Sequence, residues 1–349
     1  MLKKLANLNQ LKKPEQQKTG KIQHKKNRNG KKMFEYTKED LNEIAHSLNF
    51  VRDTLEKVLR LVKILDFINS NPTTKNRLAL KGGTAINLSI FNLPRLSVDI
   101  DLDYAVNNSR QEMLSNRAEI TETLQKYLQS EQYTISPNSK NYHSLNSLVV
   151  AYTNSAGMKD NIKIEINYSL RAHIFAPELK KISLQNIQSK NEILILNKTE
   201  IFASKLNALL GRGAVRDLYD ISNMIQAGTF SPDETELLKK SFILYTALSQ
   251  EKIPEEYSFE KIDAINTRKI FAELLPVIHN GTFVKIEEMK NTVKQFYTEN
   301  LLPSPAEKTF LQLFAQKQYN PELLFSDPQI LENIKNHPMV VWKMQEHSK

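Results

Sequence analysis

Three aspartates alternate through the stretch "SVDIDLDY": Asp99, Asp101 and Asp103. Side chains two residues apart on a strand project to the same face. The three carboxylates therefore share one face, while Val98, Ile100 and Leu102 turn to the core. Carboxylates this close repel one another unless they are exposed or bridged by a cation, and a hard divalent ion such as Mg²⁺ is the natural bridge. A solvated edge strand would carry the same pattern. A calcium-binding loop would not, because Tyr104 stands where that loop needs glycine and Arg110 where it needs a bidentate glutamate.

Upstream, Gly82 and Gly83 follow the apolar run "RLALK" and precede the helical pattern "TAINLSIF". A glycine pair alone marks only a turn. Between a strand and a helix, it can also aim backbone N–H groups and a helix N-terminus at an anionic phosphate. The GxxxxGK loop and the three-glycine dinucleotide turn are both absent, so neither of those nucleotide cradles is present. Downstream, Glu165 in "KIEINYSLR" falls on the face opposite Ile162, Ile164 and Ile166, beside Lys163 and Asn167. Lys205 in "TEIFASKLNALLGRGAVRDLYDISNMI" lies on a helix whose apolar face is Ile201, Leu206, Leu209 and Leu210. Arg216, Asp217 and Asp220 then take positions i, i+1 and i+4 of the next helix. Read alone, this last group is best explained as packing ion pairs, with Asp217 or Asp220 satisfying Arg212 or Arg216.

The elements that must position these residues follow from periodicity. Thr37 caps a helix carrying Leu41, Ile44, Ala45 and Leu48, and a second helix spans Asp53 to Asn69. Strand, tight turn, helix and strand then follow from Leu78 to Tyr104. A helix covers "RQEMLSNRAEITETLQKYLQS", and strands are predicted at "YTIS", "HSLNSLVVAYT", "NIKIEINYSL" and "EILIL". Helices are predicted over 198–210 and 216–227, and beyond Ser231 only helical periodicity broken by prolines remains. The expectation is an α+β chain, with a mixed sheet and helices followed by a helical C-terminal domain.

Composition narrows the chemistry. With 349 residues, 40% of them hydrophobic, the chain can bury a substantial core. It has no cysteine, which removes disulfides, thiolate metal sites and thiol nucleophiles, and its seven histidines form no HExxH pair. Any metal must be held mainly by oxygen. No run of apolar residues is long enough for a membrane span and no secretory signal opens the chain, so a cytoplasmic protein is expected. The net charge of +9 belongs to one segment: residues 1–32 carry ten Lys and one Arg against Glu15, and the remainder sums to −1. That polar tail is predicted to be disordered, and it could attract RNA without regard to sequence.

Taken together, "KGGTAINL" and "LPRLSVDIDLDY" resemble the signature of the nucleotidyltransferase superfamily, the DNA polymerase beta-like fold. More narrowly, they resemble the AbiEii/AbiGii toxins, including the MenT type. The interval from Gly83 to Asp99 is longer than in the general superfamily pattern. The lysine, Ala-Leu, arginine and "RDLYD" between Thr199 and Ile225 follow that family's helical motif. The resemblance covers roughly Leu78 to Ile225.

Composition sets residues 1–36 apart as a basic tail and periodicity makes 199–349 helical; with the resemblance, 37–198 is expected to be a nucleotidyltransferase domain and 199–349 a helical domain that contributes Lys205 and the RDLYD motif. The resemblance implies Asp99 and Asp101 as ligands of Mg²⁺ or Mn²⁺ with Glu165 as third acid. Gly82, Gly83, Thr84, Ser97, Lys205 and Arg216 would lie around an NTP, and Asp99, Asp101, Lys205 and Asp217 would be the catalytic group. It further implies a toxin of a toxin–antitoxin or abortive-infection system with a cognate antitoxin. The expected acceptor is RNA, first the 3′ end of tRNA, so that translation is blocked. A protein or small-molecule acceptor, or a non-catalytic nucleotide- or RNA-binding module, would use the same fold.

Overall fold

A computed structural model of the chain describes residues 34–184, 187–249 and 256–345. The basic tail expected over residues 1–36 lies outside the described residues up to position 33. The described residues from Tyr36 onward form one compact unit.

Two helices open it. Helix α1 (Lys38–Leu48) starts in a capping box, in which the Thr37 side chain accepts from the Asp40 amide while Asp40 accepts from the Thr37 amide. Helix α2 (Arg52–Ser70) buries Leu55, Val58, Leu61, Val62, Leu65 and Ile68, the wide stripe of a helix laid on a core. It packs along strands of the sheet and is tied to α4 (Arg110–Ser130) by the stacked rings of Phe67 and Tyr127, 3.7 Å apart.

The sheet strands are β1 (Leu78–Lys81), β2 (Asp99–Tyr104), β3 (Thr134–Ile135), β4 (Lys140–Asn141), β5 (Leu145–Thr153), β6 (Lys159–Asn167), β7 (Glu178–Lys180) and β10 (Ile193–Ile195). They lie in the order β3-β5-β6-β2-β1-β10-β7, with β4 on β5, and β8 (Ser183–Leu184) pairs β9 (Ile187–Gln188) apart from them. The β2–β6 and β1–β10 pairs are parallel and β1–β2 and β5–β6 antiparallel, so the sheet is mixed, as expected. Ile100, Leu102, Ile162, Ile164 and Ile166 are buried on one face, which leaves the polar residues of β2 and β6 on the other.

Helix α3 (Gly82–Ala85) follows β1 directly and widens into a π-turn over Ile86–Ile90, where the sequence pattern predicts a plain helix. Strands β4, β7, β8 and β9 have no counterpart in the periodicity, because two or three residues are too few to show a period. The rest is helical: α5 (Lys198–Arg212), α6 (Val215–Gln226), α7 (Pro232–Ser249), α8 (Glu260–Asp263), α9 (Thr267–Lys269), α10 (Ile286–Asn300), α11 (Pro305–Ala315), α12 (Pro328–Ile334) and α13 (Pro338–Gln345). Four of the prolines that interrupt the pattern, Pro232, Pro305, Pro328 and Pro338, stand at the first position of α7, α11, α12 and α13, where a missing N–H costs nothing. Helix α5 packs on the π-turn and α6 on the segment 270–274, which brings the helical region to the end of the sheet where β1 turns into α3.

Candidate active site

Strand register sets the acids. Lys81 lies opposite Asp101 and Ala79 opposite Asp103 across the β1–β2 ladder. Lys163, Glu165 and Asn167 lie opposite Asp99, Asp101 and Asp103 across β2–β6. Residues directly opposed on neighbouring strands share a face. Asp99, Asp101, Glu165 and Lys81 therefore meet on one surface. Asp103 is buried and paired with Lys81, Oδ1 to Nζ 2.5 Å, so the third acid of the strand has a partner within the protein. Glu165 is paired with Lys163 at 2.9 Å.

Asp99 and Asp101 are half-buried and, among the described residues, neither side chain forms an ion pair. Burial, reinforced by the charges of Asp99 and Glu165 and opposed by Lys81 and Lys205, pushes the Asp101 carboxyl up to about 6. That is negative charge without a full counter-charge. The donor set is all oxygen and fits a hard divalent cation that keeps other positions for water or substrate. Among the described residues, no group of three or more acidic or histidine side chains is placed to hold a metal, so Glu165 stands across from the pair without closing a cage.

The glycines are required by contact. Gly82 has φ +69°, and a Cβ there would sit 2.5 Å from Asp101 Oδ2. A Cβ on Gly83 would sit 2.6 Å from Arg95 Nη2 and 2.9 Å from Ser97 Oγ. The turn is thus pressed against Asp101 on one side and Arg95 and Ser97 on the other. Thr84 is buried and its hydroxyl donates to the Asp99 carbonyl at 2.6 Å, which ties the turn to the acid strand.

Behind the turn lies a second set of charges. The Lys205 ammonium contacts Asp217 Oδ1 and Asp220 Oδ2, each at 2.9 Å. Arg95 donates through Nε and Nη2 to both oxygens of Asp220, at 2.7 and 2.6 Å, and through Nη1 to the Leu96 carbonyl. Asn87 donates to the Gly83 carbonyl at 2.8 Å. Burial disfavours the charges on Lys205 and Asp220, but their partners outweigh it. Asp217 and Asp220 hold Lys205 above the usual lysine range, and Arg95 and Lys205 lower Asp220 to about 2. Arg212 pairs with the far oxygen of Asp217 at 2.7 Å. Arg216 donates to the Glu273 carbonyl at 2.8 Å; burial and the neighbouring Arg95 charge hold it below the usual arginine value, with Asp99 opposing them.

The structure therefore gathers Gly82, Gly83, Thr84, Ser97, Asp99, Asp101 and Glu165 at one end of the sheet. Lys205, Asp217 and Arg216 are brought up by α5 and α6. A sequence model of the AbiEii nucleotidyltransferase toxins, components of type IV toxin–antitoxin systems, matches residues 63–304, more than half of the chain. The chain belongs to the AbiEii family. A search of curated proteins finds no match. Among solved structures, the chain is similar to MenT4, a nucleotidyltransferase toxin of Mycobacterium tuberculosis H37Rv, with 15% sequence identity and a TM-score of 0.55 over 86% of this chain and 98% of that one. The AbiEii chain thus has the nucleotidyltransferase toxin fold, with its mixed sheet. Among the described residues, no helix is long and apolar enough to cross a membrane.

Two residues of this AbiEii site are missed by the sequence reading: Arg95, the bidentate partner of Asp220, and Lys81, the partner of Asp103. Arg95 left a trace, as the one cation in "LPRLS" just before the acid strand. Its partner is 125 residues away and leaves none.

Proposed function

We propose that this AbiEii toxin transfers a nucleotide from an NTP to an RNA hydroxyl, the 3′ end of tRNA, and uses Mg²⁺ or Mn²⁺ held by Asp99 and Asp101. The observation that carries the reading is the seating of Gly82 against Asp101: a turn that can present N–H groups to phosphate touches an acid lacking a full counter-charge. Glu165, opposite Asp101, would serve as the third oxygen donor on leaving Lys163 for the cation. The bound cation supplies charge neutralisation at the reacting phosphate and the attacking oxygen.

The chain's own groups bind and orient the substrate. Gly82, Gly83 and Thr84 offer backbone N–H groups, and Ser97 its hydroxyl, to phosphate oxygens. An ammonium has three N–H donors. Asp217 and Asp220 occupy two on Lys205, and in this reading the third meets the triphosphate, with Arg216 of α6 as a second cation. The acceptor oxygen attacks the α-phosphorus, the bond to the pyrophosphate oxygen breaks, and the hydroxyl proton passes to water. Lys205 and Arg216 stabilise the charge that gathers on pyrophosphate. In this reading the nucleotide added to tRNA blocks its use in the cytoplasm, and the cognate antitoxin restrains the toxin.

The test is incubation of the purified protein with Mg²⁺, each α-labelled NTP in turn and total tRNA, beside an Asp99→Ala, Asp101→Ala double variant. Label entering tRNA with the wild type alone is the expected result. Label entering the protein or a small molecule instead would overturn the RNA acceptor, and no incorporation anywhere would overturn the transferase.

A further inference from the structure

Helix α6 carries more than the acids. Arg216, Tyr219, Asn223 and Gln226 recur at helical spacing and form one stripe, and from Arg216 to Asn223 it runs about 10 Å. The stripe starts at Arg216, whose charge interacts with Asp99, and ends in a cavity of about 230 Å³ between α6, the 282–285 segment and the first turns of α10. Tyr219 lines it and donates its hydroxyl to the Pro94 carbonyl at 3.3 Å, three residues before Ser97. The cavity is thus linked to the site through both α6 and the 94–97 segment.

Its lining suits a flat, polar-edged ring. Asn223 Nδ2 is buried there with no well-formed hydrogen bond among the described residues, its one weak partner being the Tyr219 phenol, which is itself turned to the Pro94 carbonyl. A buried amide donor without a partner is costly unless a ligand supplies the acceptor. Gln226 adds a second amide, which donates to Ser222 Oγ through a long 3.3 Å bond. At the rim, Phe283 is 84% exposed, an unusual state for a phenylalanine, with none of the described residues covering it. Amides that read ring edges and an aromatic face for stacking are the two elements by which proteins hold unpaired bases.

We propose that this cavity is a nucleobase subsite, with Asn223 and Gln226 reading the base edge and Phe283 stacking on its face. The proposal rests on the nucleotidyltransferase reading for its purpose, since the base would belong either to the incoming NTP or to the 3′ end of the acceptor RNA.

Binding, rather than turnover, is the test. Affinities of the full chain for ATP, GTP, CTP, UTP, inorganic tripolyphosphate and a single-stranded RNA oligonucleotide would be measured for wild type, Asn223→Ala, Asn223→Asp and Phe283→Ala. Thermal midpoints would verify folding. Asn223→Asp preserves shape and turns a donor into an acceptor, and Phe283 is exposed, so these variants keep the test intact should Asn223→Ala fail to fold. For an NTP base, NTP binding weakens about tenfold with Phe283→Ala, tripolyphosphate binding is unchanged, and Asn223→Asp alters the order of preference among the four NTPs. For an acceptor base, the same loss appears with the oligonucleotide alone. Variants within twofold of wild type for both NTPs and RNA, or equal losses for tripolyphosphate, would overturn the proposal. Failure of nucleotide incorporation by the wild type would count against the transferase reading and not against these affinities.

Discussion

Two sets of carboxylates lie within the same site and are treated in opposite ways. Asp99 and Asp101, on β2, are half-buried and form no ion pair among the described residues, and Asp101 is pushed up to about 6. Asp217 and Asp220, on α6, are buried and each touches two cations, with Asp220 lowered to about 2. The first set is left short of positive charge, which a divalent ion or substrate-bound cation can provide. The second is satisfied from within and holds Lys205, Arg95 and the loop before β2 in a fixed arrangement. Asp103 shows that position on the acid strand does not decide the matter: it shares a face with Asp99 and Asp101 but is neutralised by Lys81. What separates a site for an external cation from a structural clasp is whether the fold provides a partner.

Substitutions in the two sets should therefore fail differently. Asp101→Asn should cut nucleotide transfer roughly a thousandfold, the several kcal/mol expected of a lost metal ligand. Its thermal midpoint should stay level or rise, because a repelling charge is gone; a lowered midpoint would place Asp101 in the clasp. Asp220→Ala should do the reverse, lowering stability by about 3–5 kcal/mol through the unpaired Arg95 it leaves behind and the loss of one of the two carboxylates on Lys205, as read by denaturant unfolding. Gly82→Ala lies on the boundary. Its φ of +69° and the contact with Asp101 Oδ2 predict a loss of about 1–3 kcal/mol, together with reduced activity as Asp101 is displaced.

Acid should weaken the clasp. The folded-state value of Asp220 lies below the ordinary carboxylate value of 3.8, so its stabilisation is complete above that pH and is lost as pH falls toward about 2. Asp220→Asn should accordingly flatten the stability–pH curve between those values. The smallest effect is expected at Arg212, whose side chain is 65% exposed: Arg212→Ala should cost less than about 1 kcal/mol, since Lys205 still holds Asp217.

The sequence made the acid face legible and the clasp only partly so. Alternation at period two shows that Asp99, Asp101 and Asp103 share a face and that Glu165 lies opposite the isoleucines of β6, because these are properties of one strand. The span of α4, Arg110–Ser130, is equally local, opened by the Ser109 capping box. The clasp depends on contacts between distant segments. Arg95 reaches Asp220 across 125 positions, and nothing periodic marks the pair. The pairing of Asp103 with Lys81 required the β1–β2 register, which the short strand Leu78–Lys81 does not specify by itself. The π-turn after Gly83 escaped for a related reason, since its apolar residues fit an ordinary helix.

The central contrast is most directly tested by titrating the full chain with Mn²⁺ in a calorimeter, wild type beside an Asp99→Asn, Asp101→Asn double variant of verified thermal midpoint. Saturable binding by the wild type that vanishes in the double variant, with folding unchanged, is the predicted result. Binding that persists undiminished in the double variant would contradict it and move the cation site away from β2.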